Sequence, residues 1–332
     1  MKTTAHFILM ATAMAGFLSF LVSCKNIEQV ASSTLNEELN NQIERVTFSS
    51  EAQLDQVFSE LNFKPNEWLS GNRKLPRLFL TDIPLRWRDV CSKGLDTVTK
   101  KQVFFLFLSP LVLHANDQIQ AKRDRIASII NRQRAGSSIS AEDQTFLKAT
   151  AMAYKVIAED TELTSQKLQD RLLRRVDTLP PSLVLAQAAE ESGWGTSRFA
   201  VEGNALFGMW TWGGDGIKPF NQRPGLGNYK IAVYETLLES VIAYMHNLNT
   251  HPAYKMLRAQ RAKMRKIGAK VNGWDLAKTL TKYSERGQAY VNSLKSLIEV
   301  NRLHQVDDSY LSAGPTILLI PVGEETDRLA SR

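Results

Sequence analysis

The sequence contains little cysteine and histidine, with two Cys and five His among 332 residues. The histidines are His6, His114, His246, His251 and His304, and they form no HExxH motif or other metal-binding spacing. P-loop, GxGxxG and GxSxG motifs are also absent. The sequence therefore indicates no metal and no nucleotide cofactor.

Charge is unbalanced only modestly, with 41 Lys and Arg against 34 Asp and Glu, a net charge of +7. A basic protein can meet nucleic acid, an anionic membrane or an anionic wall polymer. No nucleic-acid-binding motif accompanies the charge, and the basic runs at residues 171–175 and 258–270 are typical of solvated helix faces. We therefore expect no nucleic-acid partner.

The first 23 residues predict a bacterial lipoprotein signal peptide. Lys2 precedes an apolar segment at residues 7–22, which is shorter than an ordinary membrane-spanning helix. The segment ends in Leu-Val-Ser-Cys24, which resembles a lipobox, so Cys24 would be acylated and anchor the protein to a membrane. Lys25, rather than aspartate, favours the outer membrane of a diderm bacterium, with the protein facing the periplasm. The alternative is a plain signal peptide; with Cys24 acylated, Cys91 is a free thiol that we expect to be packed.

Five segments are predicted along the chain: the signal peptide 1–23, a polar tether 24–50, a helical accessory region 51–159, a domain at 160–305 and a tail 306–332. The accessory region includes a long helix from Thr99 to about Arg134, which we expect to be interrupted near Pro110. Two strands, Leu206–Trp212 and Asn228–Tyr234, would form a small hairpin. The predicted fold class is mainly α, with a small β lobe.

The segment from Pro181 to Trp212, PSLVLAQAAEESGWGTSRFAVEGNALFGMWTW, carries the strongest functional signal. Proline suits the first position of a helix, and glycine suits its end, so the helix should begin near Pro181 and stop at Gly193 and Gly195. Glu191 then lies in the last turn, where the helix dipole and burial beside Trp194 would raise the pKa of its carboxyl. A raised pKa is what a general acid needs near neutral pH.

Two neighbours of this acid have different predicted roles. Gln187 lies one turn earlier on the same helix face as Glu191. Glu190 is rotated by roughly 100° around the helix, so the two acids cannot share one role. The alternative interpretation is a solvated pair of glutamates at a helix end.

The runs AQAAEESGWG and NALFG resemble the peptidoglycan β-N-acetylglucosaminidases of glycoside hydrolase family 73, and more closely their Bax-like branch. The resemblance continues through Tyr234-x4-Glu239-Ser240-x3-Tyr244, HNLNTHPAY and LAKTLTKYSERGQAYVNSL, and it covers roughly residues 160–305. It implies a lysozyme-like glucosaminidase domain in which Glu191 is the general acid. Glu190 stands where the family usually has an apolar residue, and Glu239 is expected to be a structural residue in the middle of a helix.

The hairpin departs from the family pattern, because many members carry a second glutamate there and this sequence has none between Glu202 and Glu235. Asp215 is the nearest carboxylate, and it could activate water or stabilise an oxocarbenium-like transition state. It could equally be an ordinary turn residue. The resemblance and the aromatic character of the segment give the remaining candidates for substrate binding: Gln187, Trp194, Phe207, Trp210, Trp212 and Tyr283.

The leading hypothesis is a cofactor-independent, lipid-anchored endo-β-N-acetylglucosaminidase that acts on peptidoglycan glycan strands. Glu191 would protonate the leaving oxygen, and Asp215 or the substrate's own acetamido group would complete the reaction. One alternative is a lytic transglycosylase, which also uses a glutamate at a helix end but leaves an anhydro sugar. The other is a wall-binding lipoprotein with a weakened site.

Overall fold

A computed structural model describes residues 43–64, 67–157, 165–222, 224–225 and 227–323. The predicted signal peptide, Cys24 and most of the tether lie outside these residues. The main helices are α1 (Glu51–Glu60), α2 (Thr97–Arg134), α3 (Ala141–Ala153), α4 (Gln166–Arg175), α5 (Pro181–Ser192), α6 (Arg198–Gly203), α7 (Leu237–Thr250), α8 (Lys255–Lys266), α9 (Gly273–Ala277) and α10 (Gln288–Val300). The strands are β1 (Ile43–Phe48), β2 (Lys74–Leu75), β3 (Leu78–Leu80), β4 (Trp210–Thr211), β5 (Gly216–Ile217), β6 (Lys230–Ala232), β7 (Tyr310–Leu311) and β8 (Thr316–Pro321). The prediction of a mainly α fold with a small β component is confirmed.

Helix α2 is continuous through Pro110, so the predicted interruption was wrong. It begins at Asp96, whose carboxylate accepts from the N–H groups of Val98 and Thr99 at 2.9 and 3.1 Å. Proline inside a helix removes one backbone hydrogen bond and strains the preceding turn. Here that turn is buried on several sides, and the apolar run from Phe104 to Leu113 packs into the core. Tertiary packing therefore holds the two halves of the helix in line.

The ends of the described chain meet in one parallel sheet. β8 lies between β1 and β3, with Ile43 opposite Thr316 and Leu78 opposite Ile317. A second pair of short parallel strands joins β2 to β7. The apolar residues of the predicted tail are thus the central strand of a sheet.

The small β lobe is a three-stranded antiparallel sheet in the order β4-β6-β5, and not a two-stranded hairpin. The predicted strand Leu206–Trp212 was wrong over its first half, because only Trp210 and Thr211 are extended and paired. Asn204 has the left-handed conformation, with φ of 52°, and Leu206 and Phe207 follow in a buried turn. Leu206 and Phe207 are therefore buried by packing in the hydrophobic core, and they do not pair with a neighbouring strand.

One hydrophobic core joins the accessory region to the 160–305 region. Side chains of α2, such as Phe105 and Leu111, belong to the same buried cluster as Leu183 and Leu185 of α5. Residues 181–189 of α5 are all buried, which makes α5 the central helix. No helix among the described residues combines the length and the apolar character needed to cross a membrane.

Candidate active site

The helix that carries Glu191 is fixed at both ends. At its start, the Asp307 carboxylate accepts from the backbone N–H and the hydroxyl of Ser182 at 2.7 and 2.8 Å. At its end, Gly193 has a left-handed conformation with φ of 58°, which the sequence predicted for this cap. Gly195 has φ of 75°, and a Cβ there would lie 3.1 Å from Ile83 Cδ1 and 3.4 Å from Phe104 Cε2. The turn after Glu191 therefore rests closely on the accessory region.

A directed chain of hydrogen bonds leads to the Glu191 carboxyl. The Tyr244 hydroxyl donates to Gln187 Oε1, and Gln187 Nε2 donates to the Tyr290 hydroxyl oxygen at 2.9 Å. The Tyr290 oxygen thus accepts from the amide, so its own proton is available to the Glu191 carboxyl, to which it is hydrogen-bonded. The chain fixes the orientation of the amide and of Tyr290, and through them the position of the acid.

Burial raises the pKa of the Glu191 carboxyl, and the negative charge of Glu190 raises it further. The hydrogen bond from Tyr290 and the positive charge of Arg286 act in the opposite direction and reduce the rise. The predicted direction of the shift is confirmed. Its main cause is burial of the carboxyl.

Four tyrosines surround the acid: Tyr244, Tyr254, Tyr283 and Tyr290. Tyr283 stacks on Tyr290 with ring centres 5.3 Å apart, and the ring centre of Tyr254 lies 5.8 Å from that of Tyr283. Burial raises the pKa of each of these hydroxyls, and the charge of Glu191 adds to the rise. All four phenols therefore stay protonated near neutral pH and place apolar ring faces beside one carboxyl, with the Tyr244 and Tyr283 protons already donated to Gln187 and the Phe207 carbonyl.

Glu190 is engaged elsewhere, as its rotation around the helix predicts. Arg286 Nη1 lies 2.5 Å from Glu190 Oε1, and the Ser293 hydroxyl donates to Oε2 at 2.9 Å. Both partners come from the segment that leads into α10 or from α10 itself. Glu190 thus links α5 to α10 through Arg286 and Ser293, and Glu191 is the carboxyl that lies among the tyrosines.

Three of the predicted substrate-binding residues lie inside the protein. Gln187 is fully buried, and both ends of its amide are bonded to tyrosines. Phe207 is also buried and stacks on Tyr244 with ring centres 3.8 Å apart. Trp194 is partly buried, with its ring edge-on to Phe105 at 5.2 Å and its carbonyl accepting from Trp87 Nε1 at 3.0 Å. The structure gives these side chains packing and positioning contacts.

The two remaining tryptophans lie on the small β lobe and are exposed. Trp210 is 37% exposed, and its ring stacks on that of Tyr229 with centres 4.4 Å apart. Trp212 is 63% exposed, and its ring centre lies 6.0 Å from that of Trp210. Tyr283 is partly buried, and its hydroxyl donates to the Phe207 carbonyl at 3.3 Å. Of the six candidates, Trp210 and Trp212 are exposed, Trp194 and Tyr283 are partly buried, and Gln187 and Phe207 are buried.

Asp215 lies between β4 and β5 and is exposed. The side chains whose charges act on Glu191, within the described part of the chain, are Glu190 and Arg286. Asp215 is not among them, so its assignment as a second catalytic carboxylate stays a prediction.

Several residues of the family-like motifs have roles in or near the site that the sequence alone did not predict. Tyr244, Tyr254 and Tyr290 each occur in a family-like run, and that occurrence was the available signal. Asn204 proves to be a structural hub, because its amide nitrogen donates to Asp82 at 2.9 Å and to two carbonyls that precede α7. Glu239 lies in the first turn of α7, not mid-helix, and caps the N–H of Glu235 at 3.0 Å.

Comparison with known proteins shows the family to which the chain belongs. The family model for glucosaminidase, described as mannosyl-glycoprotein endo-beta-N-acetylglucosaminidase, matches residues 167–303, so the chain falls in a class of glycoside hydrolases. The chain is 35% identical over 203 residues to Protein bax of Escherichia coli (strain K12), a match that spans 61% of this chain and 70% of that protein. The chain belongs to the Bax-like glucosaminidases. A match to the catalytic domain of the autolysin Auto from Listeria monocytogenes has 23% identity, covers 53% of this chain and 95% of that one, and has a TM-score of 0.32.

Proposed function

We propose that this protein is an endo-β-N-acetylglucosaminidase that hydrolyses the β-1,4 bond after N-acetylglucosamine in peptidoglycan, with Glu191 as the general acid. The observation that supports this most directly is the environment of Glu191. A carboxyl at a helix end, held by Tyr290 and raised in pKa by burial, is suited to protonating a leaving oxygen near neutral pH. Membership in a family of glycoside hydrolases supports the reaction class.

In the proposed reaction, protonated Glu191 gives its proton to the glycosidic oxygen as the bond from that oxygen to C1 breaks. Positive charge then develops on C1 and the ring oxygen. The acetamido oxygen of the same N-acetylglucosamine can attack C1 and form an oxazolinium ring, which water opens. In that route ionised Glu191 takes the proton from the attacking water, so the acid is restored and no second protein carboxylate is required.

The alternative for the second step gives Asp215 the role of general base for water. Its neighbour Gly214, with φ of 109° and no contact closer than 4.0 Å to a Cβ at that position, permits movement of the loop toward a bound substrate, whereas Gly216 is paired in β5. Exchange of Asp215 for asparagine separates the two routes. A loss of about 100-fold or more would assign it as the base, whereas a loss of less than about tenfold would favour substrate assistance.

We assign sugar binding to Trp210 and Trp212, which form an exposed aromatic surface on the small β lobe, and to Tyr283. Trp210 and Trp212 offer flat apolar faces of the kind on which pyranose rings stack. Alanine at Trp212 should raise KM more than it lowers kcat, because the side chain would contact substrate and not the breaking bond.

The experiment that tests the function is digestion of purified peptidoglycan by residues 25–332, followed by reduction and mass spectrometry of the products. Fragments with a reducing N-acetylglucosamine end would support the proposal. Anhydromuramic ends would assign the protein to the lytic transglycosylases instead. Binding without release would favour a wall-binding protein with a weakened site.

We also propose that Cys24 is acylated and anchors the protein in the outer membrane, facing the periplasm. The support is the sequence Leu-Val-Ser-Cys followed by Lys25 at the end of an apolar segment. Cells that express the full chain should incorporate a labelled fatty acid into it, and Cys24→Ser should abolish the label. Equal labelling of the variant would contradict the anchor.

A further inference from the structure

The accessory region contains a cavity of about 920 Å³ that is separate from the Glu191 neighbourhood. It lies between α1, the first half of α2 and the helical turn Trp87–Cys91. Ligand sites typically have volumes of roughly 300 to 1,000 Å³ and mostly apolar walls. Its apolar walls include Phe58, Phe63, Val103, Phe104, Phe107 and Leu108.

The cavity is partly open to solvent, and a concave apolar surface of this extent is typical of a ligand-binding groove. The aromatic walls also contact one another in an ordered way. Phe58 lies 5.4 Å from Phe107 and 6.3 Å from Phe63, measured between ring centres. The cavity therefore combines packed aromatic walls with a concave, partly open apolar surface, which is the form of a binding site for an apolar ligand.

Among the described residues, the charged side chains that line the cavity are Asp55, Lys64 and Arg86, all of them exposed. Two of these three side chains are cationic, and the interior walls are apolar. A ligand that matches both features has one long hydrocarbon chain and a negatively charged head group. A sugar strand would not match, because its hydroxyls would lose water without gaining hydrogen-bond partners.

We propose that this cavity is a binding site for a single-chain lipid, with the acyl chain among the phenylalanines and an anionic head group beside Lys64 and Arg86. The site does not depend on the proposed enzymatic function. It is, however, close to the machinery of that function, because Ile83, Trp87 and Phe104 line the cavity and also support Gly195. Ligand binding would therefore stabilise the wall against which the turn after Glu191 packs.

Cys91 lines the cavity and allows a direct test. The full-length chain with Cys24→Ser keeps Cys91 as its one thiol, and an amphipathic polymer in place of detergent avoids competing surfactant. The rate of alkylation of Cys91 by N-ethylmaleimide is measured with and without palmitate. Binding should slow alkylation by about tenfold or more at saturation, because only the free protein exposes the thiol.

Chain length and head-group charge identify the ligand class. Each buried methylene contributes roughly a fourfold change in affinity, so laurate, with four fewer methylenes, should bind up to about 200-fold more weakly than palmitate. Cetyltrimethylammonium, which has the same chain length and a cationic head, should protect far less than palmitate. Equal protection by both head groups would overturn the assignment of an anionic ligand.

A matched pair of variants tests the location. Val103→Trp fills the cavity from α2, whereas Val98→Trp places the same side chain on the exposed first turn of α2, where the native valine is 62% exposed. A photoreactive palmitate should crosslink to residues of the cavity wall in the parent and in Val98→Trp, and should lose this labelling in Val103→Trp. Crosslinks elsewhere, or undiminished labelling of Val103→Trp, would refute the site. So would slow alkylation without ligand that becomes fast on deletion of residues 1–42, since the chain itself would then cover the cavity.

Discussion

Replacement of Tyr290 by phenylalanine removes the hydroxyl that holds the Glu191 carboxyl. The ring, its stacking on Tyr283 and the surrounding packing are retained, because only one oxygen is lost. The change has two separable consequences. Glu191 loses a hydrogen bond that favours its ionised form, and Gln187 Nε2 loses its acceptor.

The magnitude follows from the hydrogen bonds. A hydrogen bond to a charged group contributes about 1.5 to 3 kcal/mol, and one pKa unit corresponds to about 1.4 kcal/mol. Because the Tyr290 hydroxyl lowers the pKa of Glu191, its removal should raise that pKa further. The unpaired amide of Gln187 should cost about 1 to 3 kcal/mol of the free energy of unfolding.

The assay is the dependence of kcat/KM on pH, whose alkaline limb reports the pKa of the general acid in the free enzyme. The limb should move to higher pH in Tyr290→Phe. Tyr283→Phe is the matched control, because its hydroxyl donates to the Phe207 carbonyl and its loss should leave the limb in place. An unmoved limb in Tyr290→Phe, or a shift to lower pH, would refute the described hydrogen bond or the role of Glu191.

Three further predictions concern stability and can be measured by urea unfolding. Gly195→Ala should cost about 1 to 3 kcal/mol of the free energy of unfolding, because φ is positive there and the new Cβ would lie 3.1 to 3.4 Å from Ile83, Trp87 and Phe104. Gly193→Ala should cost less, since the nearest atom to its Cβ would be 3.5 Å away. Burial raises the pKa of Asp307 to about 6, so the folded state holds the carboxyl proton more tightly than the unfolded state does. This contributes on the order of 3 kcal/mol to the free energy of unfolding below pH 4, and the contribution should be lost as pH rises through 6. Asp307→Asn should remove this pH-dependent loss. The buried Asp177 carboxylate lies 3.2 Å from Nε of the fully buried Arg261 and 2.6 Å from Nη2 of the partly exposed Arg265. Arg261→Met should cost about 3 to 5 kcal/mol of the free energy of unfolding, because it leaves Asp177 with one partner fewer, and Arg265→Met should cost less. Equal costs would contradict the burial argument.

Local signals in the sequence predicted the helix of the site and its acid. Proline at residues 180 and 181 and glycine at 193 act within a few residues of themselves, and the structure confirms both helix ends. The direction of the pKa shift of Glu191 was also predictable, because a carboxyl near the end of an apolar helix is partly buried.

Features that depend on contacts far apart in the chain were not predictable in this way. Tyr290 lies about a hundred residues from Gln187, and no local pattern states that their side chains meet. The parallel pairing of β8 with β1 and β3 likewise joins the two ends of the described chain. At Pro110, by contrast, a local helix-breaking signal is overridden by burial of the surrounding turn on several sides.

The central claim is that Glu191 is the acid that cleaves the glycosidic bond. It is tested by the release of reducing ends from purified peptidoglycan by Glu191→Gln and by Glu190→Gln, compared with the parent. Glu191→Gln should lose about 100-fold to 10,000-fold of the rate, because its amide cannot donate the proton. Glu190→Gln should stay within about tenfold, because that side chain serves the contact with Arg286 and Ser293. Near-parent activity of Glu191→Gln, or equal losses in both variants, would contradict the account.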